Sequence, residues 1–240
     1  MRKAVMILLL FVFCFEMVSA HEVFESGGTG IYLILSSVNI NSSGGPNLKI
    51  YNSIDTSTTA GAKYSSLLQS AVSQWNGLSC GSVSVSTSIT TYSGNANVFI
   101  SNSSYIWNNL GVSPSTLART RLYDTQGNLI NTASAAQSSL GFIKEADIYL
   151  NPSLNAISSN GSGGSVSGTT LDDRIKKVIA HEMGHAMLLG HSDRSGYAPI
   201  GSTVPSLMRQ GYYNGSTIPL APAAHEISDV QTKYQYHTGM

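Results

Sequence analysis

The segment His181-Glu182-Met183-Gly184-His185, with His191 six residues further on, constrains this chain more than any other stretch. It lies in a run from Leu171 to Leu189 whose apolar residues Leu171, Ile175, Val178, Ile179, Ala186 and Leu189 recur at helical spacing. Thr170 can cap such a helix, and Asp172 and Asp173 suit the positive end of its dipole. Histidines four apart on a helix stand one turn above each other, about 40° apart around the axis, so both imidazoles reach one metal ion. Glu182 projects about 100° round from His181, close enough to touch a metal-bound water without ligating the metal. Imidazoles suit zinc, and a catalytic zinc takes three protein ligands and leaves a position open for water. In an unbroken helix His191 would sit about 120° round from His185 and about 15 Å along the axis from His181. The helix therefore has to stop first, and Gly190 can end it in the left-handed conformation.

Residues 181–192, HEMGHAMLLGHS, resemble the zinc-binding signature H-E-x-x-H-x-x-G-x-x-H of the metzincin metallopeptidases. Ser192 after the third histidine resembles the matrixin branch of that family. Pro205-Ser206-Leu207-Met208 resembles its Met-turn, which would put Met208 beneath the three histidines. Gln210 stands where astacins and serralysins carry a tyrosine ligand, again the matrixin pattern. The resemblance implies an α+β domain, a metzincin-like zinc peptidase with a twisted mixed sheet, an active-site helix and a C-terminal helix. The stretch from Tyr64 to Trp75 is similar to the family's first helix, Ala146 to Leu150 to its strand before the active-site helix, and Ile227 to Tyr236 to its last helix. The likeness spans roughly residues 45–238, and its specific part is 181–208.

The same resemblance implies one catalytic Zn2+ held by His181, His185 and His191, with Glu182 as the general base that activates water and then protonates the departing amine. Substrates would be proteins or peptides, laid extended along an edge strand near Leu117 to Tyr123. An S1′ pocket would lie between the active-site helix and the segment after Met208. Tyr212 and Tyr213 are its candidate wall residues, their other reading being simple packing under a loop. Asp229 would face the core side of the last helix, while His225 and His237 have no motif context and read as surface residues. Upstream of His181 and beyond residue 20 the sequence has only His21, so no second, structural zinc is expected. Calcium through loop carbonyls and carboxylates is allowed, but no motif marks it.

Two departures stand out. Leu188 occupies the family's glycine position, and a glycine stands at 190 instead. Leucine loses about 1–2 kcal/mol in a left-handed conformation, so the turn is expected to shift toward Gly190 or to be made differently. Should His191 not ligate, Asp193 or a later carboxylate is the replacement. The second departure is the short lead: about 25 residues separate His21 from the first family-like strand, too few for a folded matrixin pro-domain. Cys80-Gly81 follows the first helix of the catalytic domain, where no cysteine switch sits, and Cys80 reads as a buried small apolar residue.

Residues 1–20 read as a cleaved secretory signal: Arg2 and Lys3, an apolar run from Ala4 to Phe15 broken by Glu16, then Val18-Ser19-Ala20. That run is too short for a membrane span, so no stable anchor is expected after cleavage. Residues 21–44 form a mostly polar lead and 45–240 the matrixin-like catalytic domain, without a repeat of solenoid or propeller type. In the secreted chain Cys80 has no internal partner, so core, metal or both must supply stability. Only 11% of residues are charged, and 13 basic residues balance 13 acidic ones, which leaves no basic field for nucleic acid. Strand-like spacing marks Asn47 to Ile54, Val83 to Val85, Asn97 to Ile100 and Leu117 to Tyr123, the last running toward a turn at Gln126-Gly127-Asn128. Gly61 to Trp75 reads as a helix ended by Asn76-Gly77, and Ser158 to Thr170 as a loop. Asn-x-Ser sequons occur at Asn41, Asn102, Asn160 and Asn214 and matter only in a eukaryotic host. Two other classes of function stand beside the peptidase: a secreted binding protein that retains the metal without turnover, and a Ser/Thr/Asn-rich adhesin. An intact Glu182 speaks against the first, and the lack of repeats against the second.

Overall fold

Period-two alternation in the first two thirds of the chain becomes strand, and period 3.6 becomes the helices that cover one face of the sheet. A computed structural model describes residues 25–26, 31–35, 40–80, 83–130, 141–154, 170–191, 206–208 and 220–235. In chain order the elements are β1 (Glu25–Ser26), β2 (Ile31–Leu35), β3 (Asn47–Asn52), α1 (Thr59–Val72), β4 (Ser79–Cys80), β5 (Val83–Ser84), β6 (Ser86–Thr90) and β7 (Val98–Ser101). There follow α2 (Ser104–Asn109), β8 (Ala118–Asp124), β9 (Gly141–Leu150), α3 (Leu171–Ala186) and α4 (Ala224–Gln235).

Among the described residues β1, β2, β9, β7, β3, β6 and β8 form one mixed sheet, with β4 and β5 as a separate antiparallel pair. β3 is parallel to β6 and β7, β7 and β2 are parallel to β9, and β8 is antiparallel to β9. Register sorts the side chains by face. Ile50, Val98, Ala146 and Leu122 are paired across four strands and are all buried. The adjoining row, Tyr51, Phe99, Asp147 and Arg121, is half-buried and belongs to the other face. The expected strands from Asn47, Asn97 and Leu117 lie within a residue or two of β3, β7 and β8, and Ala146 to Leu150 is the second half of a longer strand. Gly127, in the expected turn, has φ 84°.

Buried polar contacts tie α1 to the end of β9, and the turns after α1 to α3. Tyr64 on α1 donates its hydroxyl to the Asn151 carbonyl at 2.6 Å, and burial holds that phenol well above its ordinary pKa, so it stays a donor. Thr58 caps α1 by accepting from the Gly61 N–H. The regular helix ends at Val72, a turn before the expected stop at Asn76-Gly77. Gln74, Trp75 and Asn76 then bond back to Ala71, Val72 and Ser73 in tight i to i−3 turns. Trp75 thereby leaves the helix, and its indole N–H donates to the Ala180 carbonyl of α3 at 2.8 Å. Thr170 accepts from the Asp173 N–H as the N-cap of α3, with Asp172 and Asp173 in the first turn, as the sequence implies.

The C-terminus of α3 departs from the sequence expectation. The helix stops at Ala186, not at Gly190, and Leu188 itself takes the left-handed conformation with φ 74°. The Leu189 N–H bonds to the Gly184 carbonyl and the Leu188 N–H to the His185 carbonyl, the two bonds of a Schellman cap with a leucine at its left-handed position. Met187, Leu188 and Leu189 are all fully buried, and Tyr234 of α4 donates to the Met187 carbonyl at 3.3 Å. Burial of the leucine side chain outweighs its backbone strain. Leu188→Gly removes about 1–2 kcal/mol of strain but forfeits about 3–5 kcal/mol of packing. The expected result is a loss of about 1–4 kcal/mol in urea denaturation of the metal-free protein; a gain in stability would show that strain dominates.

Candidate metal centre

α3 presents His181, Glu182 and His185, and the Schellman cap turns the chain so that His191 comes back against them. The ligand atoms of the three histidines lie within 4.8 Å of one another, the single such group among the described residues. His181 and His185 are buried, and His191 is half-buried. His181 Nδ1 lies 2.8 Å from the Leu207 carbonyl, and His185 Nδ1 lies 2.7 Å from the Leu189 carbonyl. A carbonyl only accepts, so each ring carries its proton on Nδ1 and leaves an unshared pair on Nε2. Burial first, then the charges of Lys177 and of the other two rings, pushes the His181 pKa well below its ordinary value, and the neutral ring is the ligating form.

His185 Nε2 and His191 Nε2 are 3.2 Å apart. Two nitrogens bound tetrahedrally to zinc at 2.0–2.1 Å are separated by roughly 3.3–3.4 Å, so this pair already has the spacing of one edge of such a site. The widest edge of the triad, within 4.8 Å, needs to close by about 1.5 Å at most. With His191 protonated on Nε2 the contact is a hydrogen bond; protonated on Nδ1, the ring offers a third unshared pair. The donor set fits a zinc ion.

Glu182 is buried beside the triad, and Thr120 of β8 donates to its Oε2 at 2.6 Å. Burial raises the carboxyl pKa to about 7, against the opposing effects of the Thr120 hydrogen bond and of the Lys177 and Arg119 charges. A carboxyl at that level can both take and return a proton near neutral pH.

Met208 is fully buried under α3. A Cβ added at Gly184, between the two helical histidines, would overlap the Met208 sulfur, approach its Cε to 2.9 Å and come within 3.2 Å of Trp75 Cζ2. Gly184, at a variable position of the motif, thus leaves the room that the Met208 side chain and Trp75 fill, and a larger residue there would have to displace the Met208 thioether. Asp229 is buried on α4, in keeping with the expected core-side position, whereas His225, expected at the surface, is half-buried at the start of that helix. Tyr212, Tyr213, Asp193, Ser192, Gln210, His21 and His237 lie outside the described residues, as does the expected loop from 158 through 169.

The sequence reading missed Glu226. This fully buried carboxylate accepts from Ser206 Oγ at 2.9 Å, from the Met208 N–H at 2.6 Å and from the Ala223 N–H at 2.6 Å. The last bond is half of a capping box, with an acid at the third residue of α4, and that is the one signal the sequence carried. Through Ser206 and Met208 the same carboxylate fixes the segment whose Leu207 carbonyl orients His181. Glu226→Gln sets an amide N–H against one of three donors. It should lower stability by about 1–3 kcal/mol and weaken zinc binding by roughly 10- to 100-fold in chelator competition. Unchanged zinc affinity would show that the Leu207 carbonyl is held independently of Glu226.

No curated protein matches this chain. Among solved structures, the GM1-bound form of the ECX AB5 holotoxin is 14% identical with a TM-score of 0.40, over 80% of this chain and 82% of that one. High choriolytic enzyme 1, a hatching-enzyme zinc protease from the medaka fish Oryzias latipes, is 13% identical with a TM-score of 0.38, over 89% and 99%. A family model described as Peptidase M66 matches residues 117–206. The stretch of this chain that is similar to a peptidase family is thus the one that holds β8, β9, α3 and all three histidines.

Proposed function

We propose that this chain is a secreted zinc-dependent endopeptidase of the matrixin-like metzincin type. The observation that carries the proposal is the convergence of His181, His185 and His191, two of them held by main-chain carbonyls in the ligating tautomer, next to the buried carboxyl of Glu182. The peptidase-family match over residues 117–206 supports it. Secretion rests on the signal-like pattern of residues 1–20.

When bound, zinc supplies Lewis-acid polarisation of the scissile carbonyl and lowers the pKa of water toward ~7. The rest is done by the chain. Glu182 accepts the proton of the attacking water and returns it to the departing amine, one carboxyl serving as base and then as acid. β8 offers the part of its outer edge before Leu122 to an extended peptide, so the main chain of the substrate adds a strand and the scissile bond is presented beside Glu182. Tyr212 and Tyr213 are proposed as walls of the pocket beyond it. The zinc would be the one metal needed for turnover, with calcium as a further ion that loops could hold.

The test is zinc per chain together with casein or gelatin cleavage, with and without a chelator. About one zinc per chain and cleavage abolished by the chelator are expected. Glu182→Gln should keep the zinc and lower kcat by roughly 10²- to 10⁴-fold, because only the proton carrier is lost. Zinc without cleavage would leave a metal-retaining binding protein, and neither would leave an adhesin.

A further inference from the structure

The helix-facing side of β8 reads Ala118, Thr120, Leu122, and the in-register neighbours of Thr120 across the sheet are Ile148 and Ile100, both fully buried. A hydroxyl in an apolar row needs a partner. Thr120 has two on α3: Oε2 of Glu182 at 2.6 Å and the Glu182 carbonyl at 3.2 Å. A hydroxyl has one proton, and 2.6 Å is the length of an O–H bond to a carboxylate, so the proton goes to Oε2. The charged neighbours Arg119 and Arg121 alternate to the opposite face of the strand.

We propose that Thr120 is a positioning residue for the reaction: its hydroxyl occupies Oε2 of Glu182, fixes the carboxyl plane, and leaves Oε1 as the oxygen that exchanges protons with water. This rests on the peptidase reading above. Thr120 also stands on the strand whose edge would receive the substrate, so a docked peptide and the base would be held by the same short strand, Ala118–Asp124. Substrate pairing that steadies β8 steadies the carboxyl in the same step. Misplacing a reacting group by about 1 Å can cost about 100-fold in rate, which sets the scale of the effect.

Thr120→Val keeps the shape and deletes the hydroxyl; Thr120→Ser keeps the hydroxyl. With zinc content equal in all three proteins, Thr120→Val should lower kcat by roughly 10- to 100-fold with KM within about threefold, and Thr120→Ser should stay within about threefold of the parent. A second measurement needs no turnover. In the metal-free protein at alkaline pH, the infrared carboxylate band identified by subtracting the Glu182→Gln spectrum should shift in Thr120→Val and not in Thr120→Ser. Full kcat in Thr120→Val, an unshifted band, or equal losses in the Val and Ser variants would overturn the proposal. If the zinc-loaded parent cleaves nothing, the peptidase reading fails by itself, and the infrared band still decides whether Thr120 holds Glu182.

Discussion

Two main-chain carbonyls decide what the histidines of this protein can do. Leu207 and Leu189 each offer a carbonyl to an imidazole Nδ1, and since a carbonyl cannot donate, each contact selects one tautomer and one ring orientation. A free histidine on a helix would sample several rotamers and both tautomers, and a metal would have to select among them at its own cost. Here that selection is built in before any metal arrives. The rest of the local structure can be read as the means of bringing those carbonyls to the right place. The Schellman cap supplies Leu189, and the buried Ser206-Leu207-Met208 segment supplies Leu207.

That placement is over-determined. The cap needs a residue with φ near +70°, and the chain uses Leu188 where glycine would be free of strain. It holds because Leu188 is fully buried between neighbours that are also buried, and because the cap is tied to α4 through Tyr234 and Met187. The Leu207 segment is tied to the same helix through Glu226, whose three accepted hydrogen bonds meet the cost of burying a carboxylate. α4 thus secures both sides of the triad while contributing no ligand.

How much of this was legible in the sequence follows from the range of each interaction. The i, i+4 histidines, the N-cap Thr170 and the apolar stripe of α3 are local, and periodicity alone places them on one helix. β3, β7 and β8 likewise announced themselves by alternation. The end of α3 was misplaced because local propensity favours Gly190 as the stop, and tertiary burial of Leu188 overrides it. Trp75, which helical spacing makes the last residue of a helix, lies instead in the tight turns that follow it, where its indole bonds to Ala180 more than a hundred residues away. β6 escaped because STSIT carries a single large apolar residue, and it is a strand by virtue of pairing with β3. Glu226 escaped because an acid at the start of a helix ordinarily faces solvent; only the fold brings Ser206 and Met208 to it.

The edge strand sets a remaining constraint on how such a protein can work. Among the described residues β8 pairs along its length with β9, while on its other side Tyr123 bridges Leu129 and the Ile130 N–H donates to the Leu122 carbonyl at 2.8 Å, so the outer edge lacks a strand partner only before Leu122. An open edge that invites a substrate also invites self-association. β8 limits the hazard by chemistry and by shape. Arg119 is exposed and Arg121 half-exposed on its outward face, and a register shift between Tyr123 and Asp124 ends regular pairing after a short stretch. The Asp124 carboxylate then accepts from the Gln126 and Asn128 N–H groups, and this closed turn stops the strand from extending further. What stays open among the described residues is the part around Thr120, whose hydroxyl donates to Glu182. On the proposed reading, limiting self-association and receiving a peptide would fall to the same few residues of backbone.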